Sequence, residues 1–596
     1  MSPPSLTIVF LLISATFAAS PYCTPSDACW PSVTVWQQFN SSISGRLIQV
    51  TPWASPCFAI PGPMNQAACK SIVAGYLDDF TRANQCGAYE NLNSEYCGNL
   101  ECSLNYLAPY VTIGRTCSLG RIPPYAVNVQ QDSDVQAAIA FAKLYNIKLV
   151  VKNTGHDYLG RSSAPDSLMI WTHNLVSMSV QPSNSICGES HPTITIGTGV
   201  QAKQAVTFAA NAGFALGVGQ CESVGTAGGW SQGGGHGTLA PLIGMGADQV
   251  MQAKIITADG TIRIINKCSP NDKDLFWAMR GGGGGTWGVT TEIVMKVIPD
   301  IVGISVVWES NFTLLADLGL KDTVTGSFIT MLATSQPTWA NISSGGQTFF
   351  FPYGFRAIYY VPSSNQALVK SAFASLLNFQ QKYPLLLQTY TSKVQTWNRY
   401  VDFISNIMDP TVAYDPNGFW LRPASRLMPK TLFQTSAGID KMTTAIMKGA
   451  AAVNVALQQV VQAIRPFSYV IFSTGPLNNP DLGNTTAVNP AWRNSYWHVI
   501  YGTGLPQGFP LAVRNNMAQA ADNGAQALRD ITPGSGAYSN EGSILEPDWQ
   551  NSFYGYNYPT LLRVKNKYDP AGIFTVWKGV GWVAGAENTD RCYANA

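Results

Sequence analysis

The alternation of apolar and polar residues predicts a strand, a helix and a second strand between residues 121 and 155. IPPYAVNVQ is typical of a short strand, and IKLVVKNTG of a longer strand that runs into a loop. Between them, DSDVQAAIAFAKLYN has helical periodicity, and Ser133 and Gln136 fit a capping box at its start. One face of this helix is apolar and consists of Val135, Ala138, Ile139 and Ala142. The order predicts a layer of mixed α/β structure.

Further patterns continue to about residue 300. TITIGTGV predicts a strand, and QAKQAVTFAANAG a helix that ends at Gly213. QVMQAKIITADGTIRIIN predicts two strands joined by an Asp259-Gly260 turn. NDKDLFWAMR predicts a short helix capped by Asn271, and GGGGGTWGVTTEIVMKVI a glycine loop that leads into a strand.

Residues 301–530 have a different sequence pattern. FRAIYYV, SYVIFST and YWHVIYGTG predict aromatic-rich strands, while QALVKSAFASLLNFQQKY and NNMAQAADNGAQALRDI predict helices. We therefore expect an antiparallel sheet covered by helices, which would suit a substrate-binding domain. In the tail, NYPTLLRVKNKYDPAGIF predicts a helix that ends at Asp569-Pro570.

Composition narrows the class of protein. A chain of 596 residues is too long for one core, so we expect two or three domains. With 46% hydrophobic and 12% charged residues, it is folded rather than intrinsically disordered. The net charge of +2, without a cluster of lysines and arginines, argues against nucleic-acid binding. The 54 glycines predict that backbone approaches a ligand closely.

The first 20 residues, MSPPSLTIVFLLISATFAAS, predict a signal peptide cleaved near residues 18–20. The alternative is a membrane anchor, but the apolar run is too short to span a bilayer. No other segment is long and apolar enough, so we expect no membrane span after cleavage.

Cysteines and glycosylation sequons agree with secretion. Eight of the 12 cysteines lie between Cys23 and Cys117, which predicts a disulfide framework in residues 21–118. CGNLEC lacks a partner at zinc-binding spacing, so disulfides are favoured over metal. The sequons lie at Asn40, Asn311, Asn341 and Asn484.

Three apparent motifs do not carry their usual chemistry. The G-x-G-x-x-G at Gly283, Gly285 and Gly288 follows a predicted helix and precedes a strand, the reverse of a dinucleotide site. GWSQG, residues 229–233, is followed by more glycines rather than by the helix of a nucleophile elbow. The five histidines have no metal-binding spacing, so we predict no metal site: His156, His173, His191, His236 and His498.

Two glycine-rich loops remain, each with one reactive side chain. In KNTGHDYLGRSS, the N–H groups of residues 153–155 could form a nest for an anion such as pyrophosphate. In GVGQCESVGTAGGWSQGGGHG, nine of 21 residues are glycine, so a flat ligand could lie against the backbone near Cys221. The alternatives are a structural, hydrogen-bonded His156 and a disulfide at Cys221. If Cys221 keeps its thiol, the other 11 cysteines leave a second thiol elsewhere.

These two loops and the tail AYSNEGSILEPDWQNSFYGYNYPTLLRVKNKYDP resemble the FAD-linked oxidases of the vanillyl-alcohol oxidase superfamily. The resemblance is to the berberine-bridge-enzyme-like branch, in particular its fungal isoamyl-alcohol-oxidase-like members, and covers residues 121–582. It implies an α+β fold, with a two-subdomain FAD-binding domain of the PCMH type and an antiparallel-sheet substrate domain covered by helices. We place these domains at 119–300 and 301–530, after the signal peptide 1–20 and the Cys-rich region 21–118. A segment 531–585 returns to the FAD domain.

The resemblance also implies how the cofactor is held. His156 matches the residue bonded to the flavin 8α-methyl group and Cys221 the residue bonded to flavin C6, so a bicovalent FAD is expected. The residues expected on the pyrophosphate side are Asn153, Thr154, Gly155, Asp157, Gly160, Arg161 and Ser162. Those expected to cradle the flavin are Gly219, Ser223, Val224, Gly225 and Gly228. Further cofactor contacts are expected from Gly246, Asp248, Val289 and Asn557.

The implied reaction is hydride transfer from an alcohol or related C–H donor, a specialised metabolite, to FAD, after which the electrons pass to O2 to give H2O2. Tyr538 matches the tyrosine of the family's Y-x-N motif, and His498 lies on a strand that often carries an acid or base. The alternative for Tyr538 is a packed aromatic residue without a catalytic role, and the alternative for His498 is a structural histidine of the strand. Glu541 replaces the family's second tyrosine, and Gly229 would leave room for O2. An oligosaccharide C1 oxidase, a flavin dehydrogenase and a non-catalytic binding protein remain alternatives.

Overall fold

The computed structural model describes residues 22–594 except 106, 107, 113, 409–416, 459, 461–467, 477–484, 503 and 506. The predicted signal peptide and the sequon at Asn484 lie outside the described residues. The strands are β1 Leu47–Gln49, β2 Tyr125–Asn128, β3 Lys148–Lys152, β4 Ser167–Trp171, β5 Met178–Ile186, β6 Glu189–Gly197, β7 Phe214–Ala215, β8 Val250–Ile256, β9 Ile262–Asn266, β10 Val289–Lys296, β11 Ile298–Pro299, β12 Gly303–Phe312, β13 Gly345–Phe351, β14 Gly354–Val361, β15 Leu387–Trp397, β16 Ala424–Pro429, β17 Tyr469–Ser473 and β18 Ser495–Tyr501.

The helices connect and cover these strands. They are Val33–Ser42, Gln66–Gly75, Asp79–Ala83, Asp132–Tyr145, Ala202–Asn211, Ser231–Gly233, Ala240–Ile243, Gly246–Gln249, Lys273–Met279, Lys321–Asn341, Gln366–Ala372, Ala374–Leu377, Phe379–Lys382, Tyr400–Phe403, Ser436–Leu457, Leu511–Arg529, Trp549–Tyr554, Tyr558–Tyr568 and Arg591–Ala594. No helix within the described part of the chain has the length and apolar character needed to cross a membrane.

The first sheet has the order β1-β2-β4-β3, in which β2, β4 and β3 are parallel and β1 is antiparallel. The predicted strand, helix and strand are therefore confirmed, and the apolar face of helix Asp132–Tyr145 is buried against this sheet. The predicted cap is wrong, because the helix begins at Asp132 and its Asp134 accepts the Gln131 N–H at 3.2 Å. Gln136 instead donates to the Gly260 carbonyl at 2.7 Å.

The second sheet is antiparallel in the order β5-β6-β10-β8-β9. The predicted β8–β9 hairpin turns at Asp259 and Gly260, and Gly260 has the positive φ of 80° that this turn needs. The helix that follows the hairpin, Lys273–Met279, begins after Asp272, so the predicted cap at Asn271 is wrong. The loop after this helix leads into β10 at the centre of the sheet, as predicted.

The third sheet has seven antiparallel strands in the order β15-β12-β14-β13-β17-β18-β16. Because side chains alternate along a strand, each strand offers one face to the covering helices and one to the rest of the molecule. Helices Lys321–Asn341, Ser436–Leu457 and Leu511–Arg529 cover the first face, which confirms the predicted sheet with covering helices. The segment predicted as one helix at residues 366–383 is instead three short helices, interrupted at Phe373 and Asn378.

The cysteines show how the N-terminal region joins the rest of the protein. Ten of them form the disulfides Cys23–Cys29, Cys57–Cys69, Cys97–Cys592, Cys102–Cys117 and Cys187–Cys268. Three of these bonds lie within residues 21–118, as the cysteine density predicts, whereas Cys97 bonds to the C-terminal end of the chain. Cys86 and Cys221 keep their thiols, which accounts for the second thiol expected from the odd count.

Candidate active site

A cavity lies where the loops of the first two sheets face the third sheet. Both glycine loops line it, and they bring 12 of the predicted cofactor residues to one place. These are Asn153, Thr154, Gly155, His156, Asp157, Arg161, Ser162, Gly219, Cys221, Val224, Gly225 and Gly228. The sequence separates the two loops by about 65 positions, so their meeting is a property of the fold.

His156 and Cys221 meet at a shared neighbour. The hydroxyl Oγ of Ser223 lies 2.7 Å from His156 Nε2 and 3.7 Å from Cys221 Sγ. Asp79, from the N-terminal region, has its Oδ2 3.5 Å from the same sulfur. Burial lowers the pKa of His156 to about 4, although the charge of Asp79 acts in the opposite direction. The imidazole is therefore neutral near pH 7 and keeps a lone pair for bond formation.

The loop that carries His156 is fixed by hydrogen bonds at both ends. Lys152, the last residue of β3, is buried and donates to the carbonyls of Gln85 and Ala88 at 2.8 and 2.6 Å. Gly155 has a positive φ of 99°, so the backbone can turn sharply just before the histidine. At the far end, Asp157 accepts the backbone N–H of Arg161 at 2.7 Å and also pairs with its guanidinium.

Several polar atoms in the cavity wall lack a protein partner. Among the described residues, the buried oxygens Asn153 Oδ1, Thr198 Oγ1 and Thr290 Oγ1 have no hydrogen bond, although all three residues line the cavity. Buried polar atoms are normally satisfied, so these oxygens fit a bound polar group. A Cβ added at Gly229 would meet no atom within 4 Å, so open space lies beside that loop. A flat group with polar edges, such as a dinucleotide flavin, therefore fits this wall.

Some predicted cofactor residues do not line the cavity. Ser223 instead contacts His156 Nε2 at 2.7 Å. Gly160 packs under Arg121, where a Cβ would lie 2.9 Å from the guanidinium Nη1. At Gly246, a Cβ would overlap the ring of Trp230.

Three more of these residues have roles in packing or pairing. Asp248 forms an ion pair with Arg493 at 2.7 Å. Val289 is fully buried in the core at the start of β10. Asn557 donates to the Val488 carbonyl at 3.2 Å. These three residues do not line the cavity, so they would not contact a cofactor in the way that the 12 lining residues do.

Tyr538 lines the cavity, and its hydroxyl is held on several sides. It accepts hydrogen bonds from the Gly235 N–H at 3.3 Å and from Asn540 Nδ2 at 2.7 Å. Asn540 in turn accepts from Arg161 Nη2 at 2.9 Å, which links the tail to the His156 loop. Burial, and next the charge of Glu541, raise the pKa of Tyr538 well above its usual value. The phenol is therefore protonated.

His498 lies behind the cavity wall. Its side chain is fully buried, and its Nδ1 is 3.4 Å from Glu541 Oε2. Burial lowers its pKa to about 3, although the charge of Glu541 acts in the opposite direction. Of the two residues predicted to be catalytic, only Tyr538 lines the cavity.

Sequence reasoning missed three polar residues at this site: Asp79, His236 and Asn540. His236 lines the cavity, and its Nε2 lies 3.1 Å from Glu541 Oε2. It stands in the second glycine loop, but a lone histidine in a loop gives no signal of its own. Asp79 comes from the N-terminal region, where no motif pointed to a cofactor.

The opposite wall is apolar and belongs to the third sheet. Phe349 of β13, Val470 and Phe472 of β17 and Ile500 of β18 line the cavity from the face that the helices leave open. His498 lies on this same face of β18, two residues before Ile500. The cavity therefore has a polar wall made of loops and an apolar wall made of strands.

Comparison with known proteins agrees with this arrangement. Residues 123–266 match the FAD binding domain model, and residues 537–581 match the model described as berberine and berberine like. The FAD-linked oxidoreductase orf1 of Neocamarosporium betae is 32% identical, over 94% of this chain and 93% of its own length. The VAO-type flavoprotein oxidase VAO615 of Thermothelomyces thermophilus is 30% identical, over 97% of each chain.

A solved structure shares the architecture over nearly the whole chain. The VAO-type flavoprotein MtVAO713 from Myceliophthora thermophila C1 superimposes with a TM-score of 0.82 at 28% identity, covering 94% of this chain and 97% of that one. This chain belongs to the FAD-linked oxidoreductases of the vanillyl-alcohol oxidase and berberine-bridge-enzyme type. It is an enzyme whose cofactor is FAD, and the predicted family is confirmed. The shared architecture confirms the predicted fold class.

Proposed function

We propose that FAD is attached at two points, His156 and Cys221, and that the enzyme oxidises an alcohol or related C–H donor with O2 as the final acceptor, giving H2O2. The observation that carries this proposal is the convergence of His156 and Cys221 on Ser223 in one cavity wall. When bound, the flavin supplies hydride acceptance and passes the electrons on to O2.

The protein's part is to hold and orient the reactants. Residues 119–300 would bind the cofactor, with the N–H groups of residues 153–155 and the Asp157–Arg161 pair beside the pyrophosphate. Residues 301–530 would supply the substrate wall, and residues 531–585 would bring Tyr538 back to the flavin. Tyr538, as a protonated phenol, would turn its O–H from the Trp230 carbonyl, 3.4 Å away, to donate a hydrogen bond to the substrate oxygen. Two covalent links would keep the flavin in place in an open site.

The apolar wall supports a specialised metabolite as substrate rather than an oligosaccharide. Phe349, Val470, Phe472 and Ile500 offer surface for an apolar carbon skeleton, whereas a sugar chain needs many polar partners. A panel of hydrophobic alcohols and oligosaccharides, read out by peroxide, tests this choice. We expect peroxide with hydrophobic alcohols. Peroxide with oligosaccharides alone would identify a C1 oxidase, and reduction of a dye without peroxide would identify a dehydrogenase.

Flavin attachment is tested on a denaturing gel. We expect a flavin-fluorescent band in the wild type and, through the one remaining link, in His156→Ala and in Cys221→Ala, and no band in the double variant. His191→Ala and Cys86→Ala are the controls, because neither residue lines the cavity. A dark wild-type band, loss of the band in either single variant, or a double variant that still fluoresces, would refute the bicovalent attachment.

We also propose that the protein follows the secretory route. Five disulfides within the described chain support folding in an oxidising compartment. Of the described sequons, Asn341 is exposed at the end of helix Lys321–Asn341, whereas Asn40 and Asn311 are half-buried. Asn341→Gln should therefore remove more glycan than Asn40→Gln, as measured by the gel shift after endoglycosidase treatment.

A further inference from the structure

Glu541, His236 and His498 form a cluster beside the cavity that no motif predicted. Glu541 comes from the C-terminal segment, His236 from the end of the second glycine loop and His498 from β18. One ligand atom from each side chain lies within 4.8 Å of the other two. Three separate parts of the chain thus bring two imidazoles and one carboxylate together.

Both imidazoles face the same carboxylate oxygen. The Nε2–H of His236 donates to Glu541 Oε2 at 3.1 Å, and its Nδ1 accepts from the Thr474 hydroxyl at 3.2 Å. His498 Nδ1 lies 3.4 Å from that Oε2, and its Nε2 has no partner among the described residues. Each nitrogen of His236 is therefore occupied, and His498 is shielded from the cavity.

Glu541 itself reaches the cavity. It lines the cavity wall, and 19% of its side chain is accessible, compared with none of the side chain of His498. Its Oε2 is engaged with the histidines, and no hydrogen bond to Oε1 is found among the described residues. Oε1 is thus the atom of the cluster that a substrate hydroxyl can approach.

The two histidines beside Glu541 favour its ionised form. Burial alone would raise the pKa of this carboxyl, but the hydrogen bond from His236 and the electrostatic interaction with both histidines outweigh burial and lower it. Tyr538 beside it is the opposite case, since burial and the charge of Glu541 raise the pKa of its phenol. Glu541 is therefore suited to accept a proton and Tyr538 to donate one.

We propose that Glu541 is the catalytic base of the alcohol oxidation, with His236 as the residue that positions it; this rests on the proposed function. The O–H proton of the alcohol passes to Glu541 Oε1. The C–H hydrogen leaves with both electrons to the bound flavin, and the C=O bond forms. The alcohol loses two electrons and two hydrogens, and the carboxylic acid later gives its proton to water.

The test compares Glu541→Gln with the wild type and with the control Glu309→Gln, which changes a half-buried glutamate that does not line the cavity. In anaerobic stopped-flow with an alcohol from the panel, flavin reduction in Glu541→Gln should slow by about 10²-fold or more, the usual scale of general-base catalysis. Reoxidation of the dithionite-reduced variant by O2 should be unchanged. Reduction of Glu541→Gln at a rate within about threefold of the wild type would overturn the proposal.

His236→Gln tests the positioning role. It should move the acid limb of the pH profile for flavin reduction to higher pH, because the carboxylate loses the hydrogen bond from the His236 Nε2–H. An unchanged acid limb would overturn this role. A divalent metal that is stoichiometric in the wild type and lost in Glu541→Gln would overturn the role of the cluster as a base.

A substrate-free readout separates this proposal from the proposed function. The absorbance of the oxidised flavin should show an acid-side transition in the wild type that is missing in Glu541→Gln. If the transition is present but no donor gives peroxide, the oxidase function fails and the ionised glutamate stands. Identical titrations of the two proteins would overturn the placement of an ionised Glu541 at the flavin.

Discussion

The carboxylate Oδ2 of Asp79 lies 3.5 Å from the Sγ of Cys221, although 142 positions separate the two residues. Asp79 is the first residue of helix Asp79–Ala83, whose cap is Asp78. The disulfide-rich N-terminal region thus places a charge at the predicted flavin attachment point. Because the thiol donates to this carboxylate, Asp79 would accept the thiol proton as the Cys221 sulfur forms its bond to the flavin.

Asp79→Asn should therefore slow attachment of flavin to Cys221 by about 10²-fold, as expected when a general base is lost. Attachment to His156 should continue. The measurement is peptide mapping of refolded apoprotein at intervals after FAD is added. Asp78→Asn is the matched control, because asparagine can keep the cap on Thr81. Equal rates in the two variants would exclude a role for Asp79.

Gly229→Val should slow reoxidation of the reduced flavin. A Cβ at Gly229 meets no atom within 4 Å, so the side chain would project into open space of the cavity. We expect reoxidation about tenfold slower, which corresponds to about 1.4 kcal/mol on the barrier, with folding and flavin retention intact. Rapid-mixing with oxygenated buffer measures it, and Gly62→Val, at a site that is also open, is the control. An unchanged rate would place the oxygen path elsewhere.

His498 should make the protein less stable as the pH falls. Burial lowers its folded-state pKa to about 3 from the ordinary 6.5, so between these pH values the unfolded chain binds a proton that the folded protein does not. Stability is then lost as pH falls from about 6.5 towards 3, by up to about 4 kcal/mol for this group. Its facing charged or titratable groups are Glu541, His236 and Tyr538.

His498→Gln should remove part of that pH dependence. Urea unfolding at several pH values measures it, and His191→Gln, at a half-buried histidine of β6, is the control. The difference between His498→Gln and the wild type should change with pH in this window only. A difference that stays constant from pH 7 to 4 would mean that His498 titrates normally.

The Cys97–Cys592 disulfide should contribute more stability than Cys23–Cys29. The first bond joins residues 495 positions apart and the second residues six apart, so the first restricts the unfolded chain far more. Cys592→Ser should cost about 2–5 kcal/mol of unfolding free energy, and Cys23→Ser less. Thermal unfolding of both variants checks this order, and equal losses would contradict it.

Local sequence patterns were enough to predict much of the fold. The helix at Asp132–Tyr145 and the hairpin at β8–β9 were predictable because each depends on neighbours a few residues away. The cap at Gln131 was not predictable, because moving the start of the helix by two residues changes which side chain caps it.

The site could be predicted only in part, for a physical reason. His156 and Cys221 each stand in a recognisable glycine loop, and resemblance linked them. Asp79 contacts Cys221 across 142 positions, and His236 contacts Glu541 across 305 positions. Such contacts depend on how whole sheets pack, and no local pattern in the sequence encodes them.

Mass spectrometry of the denatured, protease-digested wild type tests the central proposal most directly. We expect one flavin that joins the peptide containing His156 to the peptide containing Cys221, and a single attached peptide in each of His156→Ala and Cys221→Ala. A flavin that is released free on denaturation, or one that is bound to any other residue, would contradict it.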